Sequence, residues 1–234
     1  MSTISVFKSV HSETKRTRKS VSLMATPKDP FRSTNLIYTA PESPLHDPLF
    51  HAIQTNPTDF ANSNARLLHP QSAKDASTYL KSVTEDCLLG VIINRPPKTP
   101  EEPPTPIGTI HLSKLSPTMT QHRFSEIGID IVHSYQGQGY GSEAIRWCLD
   151  WAFDVAGLHR VAVRAFEWNE GARRLYERIG FVREGVAREE LWMGGRWWDG
   201  YCYGMLEGEW RALREGSGEG GSSISGTSDV PIVR

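Results

Sequence analysis

Ile129-Asp130-Ile131-Val132-His133-Ser134-Tyr135-Gln136-Gly137-Gln138-Gly139-Tyr140-Gly141-Ser142-Glu143-Ala144-Ile145 decides the fold. The stretch reads as an apolar strand, a glycine-rich turn and the first turn of a helix. Glycine accepts positive φ and lets another molecule approach the backbone closely. A helix that starts here aims its free N–H groups, and the positive end of its dipole, at whatever sits in the turn. That makes a cradle for a phosphate or pyrophosphate. The plainer reading is a flexible loop. Two better-known glycine motifs do not fit. A P-loop needs Gly, four residues, Gly, Lys and Ser or Thr, and no such string is present. A dinucleotide fingerprint needs a third glycine where Ser142 stands, and the acidic residue expected roughly 20 positions on is missing.

Upstream, residues 124–132 alternate. Ile127, Ile129 and Ile131 fall on one face, and Glu126, Gly128, Asp130 and Val132 on the other. Residues 87–93 and 107–115 read as two earlier strands, separated by a proline-rich loop over 95–106. Residues 35–39 read as a first strand. Helical patterns follow near 48–53 and 72–83, with Ser72 and Asp75 spaced for a capping box.

Downstream, Ile145, Cys148, Leu149, Ala152 and Val155 make a buried helical stripe that Gly157 ends. Residues 160–165 read as a strand. Strand, helix and strand form a βαβ unit, with the glycine turn at the carboxyl end of the first strand, where open α/β sheets bind ligands. Asn169 can cap a further helix whose stripe is Ala172, Leu175 and Ile179, ended by Gly180. Residues 181–192 and 197–206 read as a hairpin turning at Gly194-Gly195. Trp192, Trp197, Trp198, Tyr201 and Tyr203 crowd that hairpin. They read first as core and cross-strand packing, and second as an acceptor wall or a subunit interface.

The spacing Gln136-x-x-Gly139-x-Gly141 resembles the acetyl-CoA motif of the GNAT N-acetyltransferases. Asn169-x-x-Ala172-x-x-Leu175-Tyr176-x-x-x-Gly180-Phe181 resembles the family's second motif, in the expected order and separation. The hairpin stretch Glu184-Gly185-Val186-x-x-Glu189 looks most like the RimJ/RimL-type branch. The resemblance covers residues 31–208. It implies an α/β (α+β) fold: a mixed, mostly antiparallel central sheet flanked by helices, with a parallel βαβ unit at the cofactor site.

The resemblance also implies the chemistry. The function would be transfer of acetyl from acetyl-CoA, as co-substrate, to a primary amine by direct attack. The amine is a protein N-terminus or a small molecule. The alternative is a non-catalytic acyl-CoA-binding or scaffold protein of the same fold. Backbone amides of Gln136, Gly137, Gln138, Gly139, Tyr140 and Gly141 would hold the pyrophosphate. Ile131 and Val132 would pair with the pantetheine arm, and Asn169 would also touch the cofactor. Tyr176 matches the family tyrosine that serves the leaving thiolate. A thiol near pKa 8.5 and a tyrosine near 10, both about as in free peptides, make that proton transfer close to balanced. For the base, Glu126 is the first choice, with Asp130 on the same face and His133 just past the strand as rivals.

Composition sets the remaining limits. The chain has 234 residues with 38% apolar content and a formal charge of −1, so the whole carries no basic footprint for nucleic acid. Mean hydropathy is −0.42 and no apolar run is long enough to span a bilayer. Cys87, Cys148 and Cys202 are odd in number and lack metal-ligand spacing. A reducing compartment, the cytoplasm, is the simplest account. Cys148 falls on a buried stripe, which argues against a covalent acetyl-cysteine route. Residues 1–30 form a basic, Ser-rich segment that reads as a disordered tail, although a mitochondrial transit peptide has the same composition. Residues 209–234 read as a disordered Gly/Ser-rich tail. A monomer and a homodimer are both compatible with the sequence.

Overall fold

The computed structural model describes residues 29–218. The reading of 1–30 as a basic tail lies outside the described residues up to 28, and the reading of 209–234 as a disordered tail lies outside them from 219 on. The chain divides into Met1–Pro30 and Phe31–Arg234, and all the elements below belong to the second unit.

Seven strands form one sheet in the order β1-β2-β3-β4-β5-β7-β6. They are β1 (Ile37–Thr39), β2 (Cys87–Arg95), β3 (Thr105–Ser113), β4 (Phe124–Ile131), β5 (Arg160–Phe166), β6 (Val182–Met193) and β7 (Arg196–Leu206). Every neighbouring pair is antiparallel except β4 with β5. The parallel pair is bridged by helix α4, so the expected βαβ unit and mixed sheet are both present.

Helices cover both faces. On one face α4 (Tyr140–Asp150) lays Ile145, Cys148 and Leu149 against Ile110, Leu112, Ile127, Val161 and Val163. On the other, α1 (Asp47–Thr55) and α3 (Ala73–Glu85) pack Phe50, Ile53, Ala76, Leu80 and Val83 around Ile92 of β2. The period-2 alternation of the strands is what feeds two separate cores from one sheet. Ser72 and Asp75 make the expected reciprocal cap at the start of α3. Asn169 likewise caps α5 (Glu170–Ile179), accepting from the Ala172 N–H at 3.1 Å.

Three features differ from the sequence reading. A short helix α2 (Pro57–Ser63), capped by Asn56, follows α1. It is too short to show a 3.6-residue period. Val155, expected on the buried stripe, is 64% exposed. The chain is π-wound over Trp151–Val155, and the wider turn rotates Val155 away from the core while Ala152 and Phe153 stay buried. The tail expected from residue 209 is also displaced. Helix α6 (Glu207–Gly218) continues the domain, and its Trp210 is buried against Phe153.

The hairpin turns at Gly194-Gly195 as expected, both at positive φ. Its aromatics divide between roles. Tyr203 is buried beside Tyr176, and Trp198 packs edge-on to Trp168. Trp192 and Trp197 form an exposed cross-strand pair.

Candidate active site

The site begins where two parallel strands part. β4 pairs with β5 only from Phe124 to Ile127, while β3 stays paired to β4 as far as Ile131. Beyond Ile127, β4 therefore has no strand neighbour on its β5 side. A cavity of about 1080 Å³ opens in that gap. This volume lies at the upper end of what small-molecule and cofactor sites occupy. The gap is lined from both sheet faces: Tyr79 and His111 from the α3 side, Leu175 and Tyr176 from the α5 side.

At one end of the gap lies the glycine turn. Gly137 and Gly139 hold φ of 70° and 88°, the left-handed region that other residues avoid. A Cβ built on either would meet nothing within 4 Å, so the space above the turn is open. Gly139 is the N-cap of α4, and no side chain caps that end. Uncapped amides facing open space suit an anionic group such as a pyrophosphate. Gly141 already lies within α4, where its Cβ position comes 3.8 Å from Leu175. Gln136 donates from Nε2 to the Ile131 carbonyl at 2.8 Å and to Asp59 Oδ1 at 3.0 Å. Gln138 donates to the Ser134 carbonyl at 2.9 Å. The two glutamine side chains thus brace the turn and leave the amides to face outward. Tyr140 opens α4, with its ring packed on the main core. Ile131 lines the cavity at the end of β4, and the Val132 N–H is taken by the Ile107 carbonyl at 2.9 Å. Asn169 lines it too, and its Nδ2 reaches the Asn62 carbonyl in α2 at 3.2 Å.

Tyr176 is 6% exposed, wedged between Phe181 and Tyr203, and lines the cavity from α5. Burial, then the Asp130 charge and Tyr203, push its phenol well above the ordinary tyrosine range. The group therefore stays protonated and can donate a hydrogen bond, although the rise makes it a weaker acid toward a thiolate than the balanced transfer expected from ordinary values. Glu126 and Asp130 line the same cavity from one face of β4, as the alternation required. Asp130 accepts a hydrogen bond from the Tyr79 hydroxyl at 2.5 Å. His133 is turned to Asp59, 3.1 Å from Oδ1, and is not among the residues that line the cavity.

Four groups in the cavity wall were not picked out by sequence reasoning. Tyr79 comes from α3, where nothing in the helical pattern marks it as polar-bonded. His111 lies on β3 opposite Gly128, and its ring occupies the space a Cβ at 128 would fill. Its Nδ1 is buried without a partner. Burial lowers the His111 pKa from the usual imidazole value, with the Asp130 charge pulling the other way. Asp59 is a buried carboxylate on the short helix α2. Arg164 of β5 pairs with Glu190 of β6 at 2.6 Å. The alternation of β4 places Glu126 and Asp130, but only the β3–β4 register brings His111 to them. Cys148 is fully buried and its thiol is pushed up by that burial, which suits a core residue and not a nucleophile. Among the described residues, no helix is long and apolar enough to cross a membrane.

Comparison with known proteins agrees with this geometry. A family model for the acetyltransferase (GNAT) domain matches residues 36–182. The uncharacterized N-acetyltransferase YnaD of Bacillus subtilis is 38% identical over 85 residues, 36% of this chain and 50% of that protein. The spermidine N(1)-acetyltransferase of Vibrio cholerae is 37% identical over 78 residues, 33% of this chain and 45% of that protein. The chain thus spans about half the length of the curated relatives it matches. Among solved structures, the Vibrio cholerae spermidine N-acetyltransferase in complex with CoA and spermine superposes with a TM-score of 0.64. Its sequence identity is 23%, over 76% of this chain and 99% of that one. A GNAT-family acetyltransferase from Bacillus anthracis gives a TM-score of 0.63 at 21% identity, over 76% and 98%. The splayed parallel strands, the uncapped glycine turn and the matched domain lead to one conclusion: the chain belongs to the GNAT acetyltransferase family.

Proposed function

We propose that this chain is an acetyl-CoA-dependent N-acetyltransferase that moves acetyl to a primary amine by direct attack. One observation carries the reading. A single cavity, opened where β4 leaves β5, joins the glycine turn, a buried protonated tyrosine and two strand carboxylates. The turn amides from Gln136 to Gly141 hold the pyrophosphate. The Ile131 backbone, on the open β5 side of β4, pairs with the pantetheine arm; Val132, whose N–H is held by the Ile107 carbonyl, adjoins it, and Asn169 borders it. The amine enters from the face that carries Tyr79, His111 and Asp130. Glu126 takes a proton from the ammonium, the freed nitrogen forms the C–N bond at the thioester carbonyl, and the C–S bond breaks. Tyr176 gives its proton to the leaving sulfur and regains one from the nitrogen that has been acylated. The likeness to spermidine acetyltransferases and the carboxylate-lined wall support a cationic amine, with a small polyamine as first candidate and a protein N-terminus as second.

Isothermal titration with acetyl-CoA, followed by an amine panel monitored for free thiol, tests this. Binding lost in Gly139→Glu, with turnover on at least one amine, is the expected result. In that variant an acidic side chain would enter the open space above the turn. Binding without turnover on any amine would leave an acyl-CoA-binding protein of the same fold. No binding by the folded wild type would end the cofactor reading.

A further inference from the structure

We propose that Asp59 is a positioning residue that sets the shape of the glycine turn before the cofactor arrives. The inference rests on the acetyl-CoA reading and adds to it a residue outside both sequence motifs. Asp59 lies in α2 and is 7% exposed. Its Oδ1 accepts from Gln136 Nε2 at 3.0 Å and from His133 Nδ1 at 3.1 Å. Gln136 spends its other N–H on the Ile131 carbonyl. One carboxylate oxygen thus gathers both ends of the stretch that leads from β4 into the turn. At the other end of α2, the Asn62 carbonyl accepts from Asn169. The short helix is therefore bonded to both stretches that flank the cavity.

The turn needs such a support. Gly137 and Gly139 carry no side chains to pack and sit at positive φ. An unsupported glycine backbone has more freedom to lose than any other when it closes on a ligand. A brace that removes this freedom in the free protein lowers the cost of binding. Asp59 does this from a buried position, with its Oδ1 engaged by two donors. Its Oδ2 is buried and has no partner, so the bracing bonds all run through Oδ1.

Titration of CoA into wild type, Asp59→Leu and Asp59→Asn tests the assignment. Asp59→Leu should weaken CoA binding by about tenfold, the loss of a preorganised turn. Asp59→Asn removes the charge but keeps an Oδ1 acceptor for Gln136 and His133, so it should stay within about threefold. In a double-mutant cycle with Gln136→Leu, the two losses should not add, because one acts through the other. A purely structural residue would lower the melting temperature in Asp59→Leu and leave CoA affinity as in wild type. That result, or equal losses in the Leu and Asn variants, overturns the proposal. If Asp59→Leu does not fold, hydrogen exchange on wild type decides: CoA should slow exchange in α2 together with the turn, and protection of the turn alone overturns the proposal. A wild type that binds no CoA fails at the earlier step, which separates the two outcomes.

Discussion

Tyr176 carries the sharpest expectation at the scale of single residues. Its ring is held by Tyr203 and Phe181, so Tyr176→Phe keeps the packing and removes only the hydroxyl. The variant should lose about a hundredfold in kcat at saturating acceptor, as expected when a general acid is removed. Its affinity for acetyl-CoA should stay close to wild type. Steady-state kinetics beside direct titration reads both, and an unchanged kcat would remove the acid role. His111 offers a second check. Its folded pKa lies below the unfolded value of about 6.5, so the unfolded chain binds the proton more readily. That histidine therefore favours the fold above about pH 6.5 and ceases to do so as the pH falls toward its folded value. The Asp130 carboxylate works against the burial. An NMR titration should place His111 below an ordinary imidazole in wild type and lower still in Asp130→Asn. An unchanged value in that variant would mean that Asp130 does not act on the ring.

At the scale of elements, the entry to α4 is tied to the start of the domain. Glu143 in the first turn of α4 accepts from the Ser33 hydroxyl at 2.6 Å, and from the Asn35 N–H and side chain at 2.6 and 3.0 Å. Partial burial opposes the charge, but those hydrogen bonds outweigh it and hold the carboxyl below its usual value. The stabilisation is complete above the unfolded pKa of about 4.3 and is lost as the pH falls through the lower folded value. Glu143→Gln should therefore cost about 1 kcal/mol at pH 7, a modest figure because the group is half in water. Urea denaturation repeated near pH 3 should find the two proteins closer together. A gap that persists there would assign the loss to shape and not to charge. What was legible at this scale followed from periodicity and caps. β4, α4, α5 and the hairpin each carry a clean period of 2 or 3.6 and an end signal such as Asn169, Gly180 or Gly194-Gly195. Helix α2 had neither the length nor the stripe, yet it supplies Asp59 and Asn62 to the site. The splay of β4 from β5 was hidden for a different reason. Pairing register is a relation between distant strands, and no local pattern in either one records where they separate.

The whole molecule is closed by its last helix, which local composition concealed. Residues 209–218 hold several Gly, Glu and Arg residues and read as part of a solvated tail. Three apolar positions, Trp210, Ala212 and Leu213, are too few to stand out. In three dimensions Trp210 is 4% exposed, packs on Phe153 and donates to Asp150 at 3.2 Å. Arg214 crosses to Asp154 at 2.9 Å. Leu213 lies against Gly180, at the left-handed end of α5, where a Cβ would collide with it. α6 thus covers the junction of α4 with the C-terminal end of α5, the helix that presents Tyr176. A chain ended after Leu206 should lose this cover, and Trp210→Ala should lose most of it. Truncating a buried tryptophan costs about 3–5 kcal/mol. For a domain of this size that corresponds to a fall of roughly 10 °C in melting temperature. Calorimetry on the full chain, Trp210→Ala and a chain ended at Leu206 should place the full chain highest and both variants well below it. Near-equal melting of all three would mean that α6 rests on the domain without supporting it.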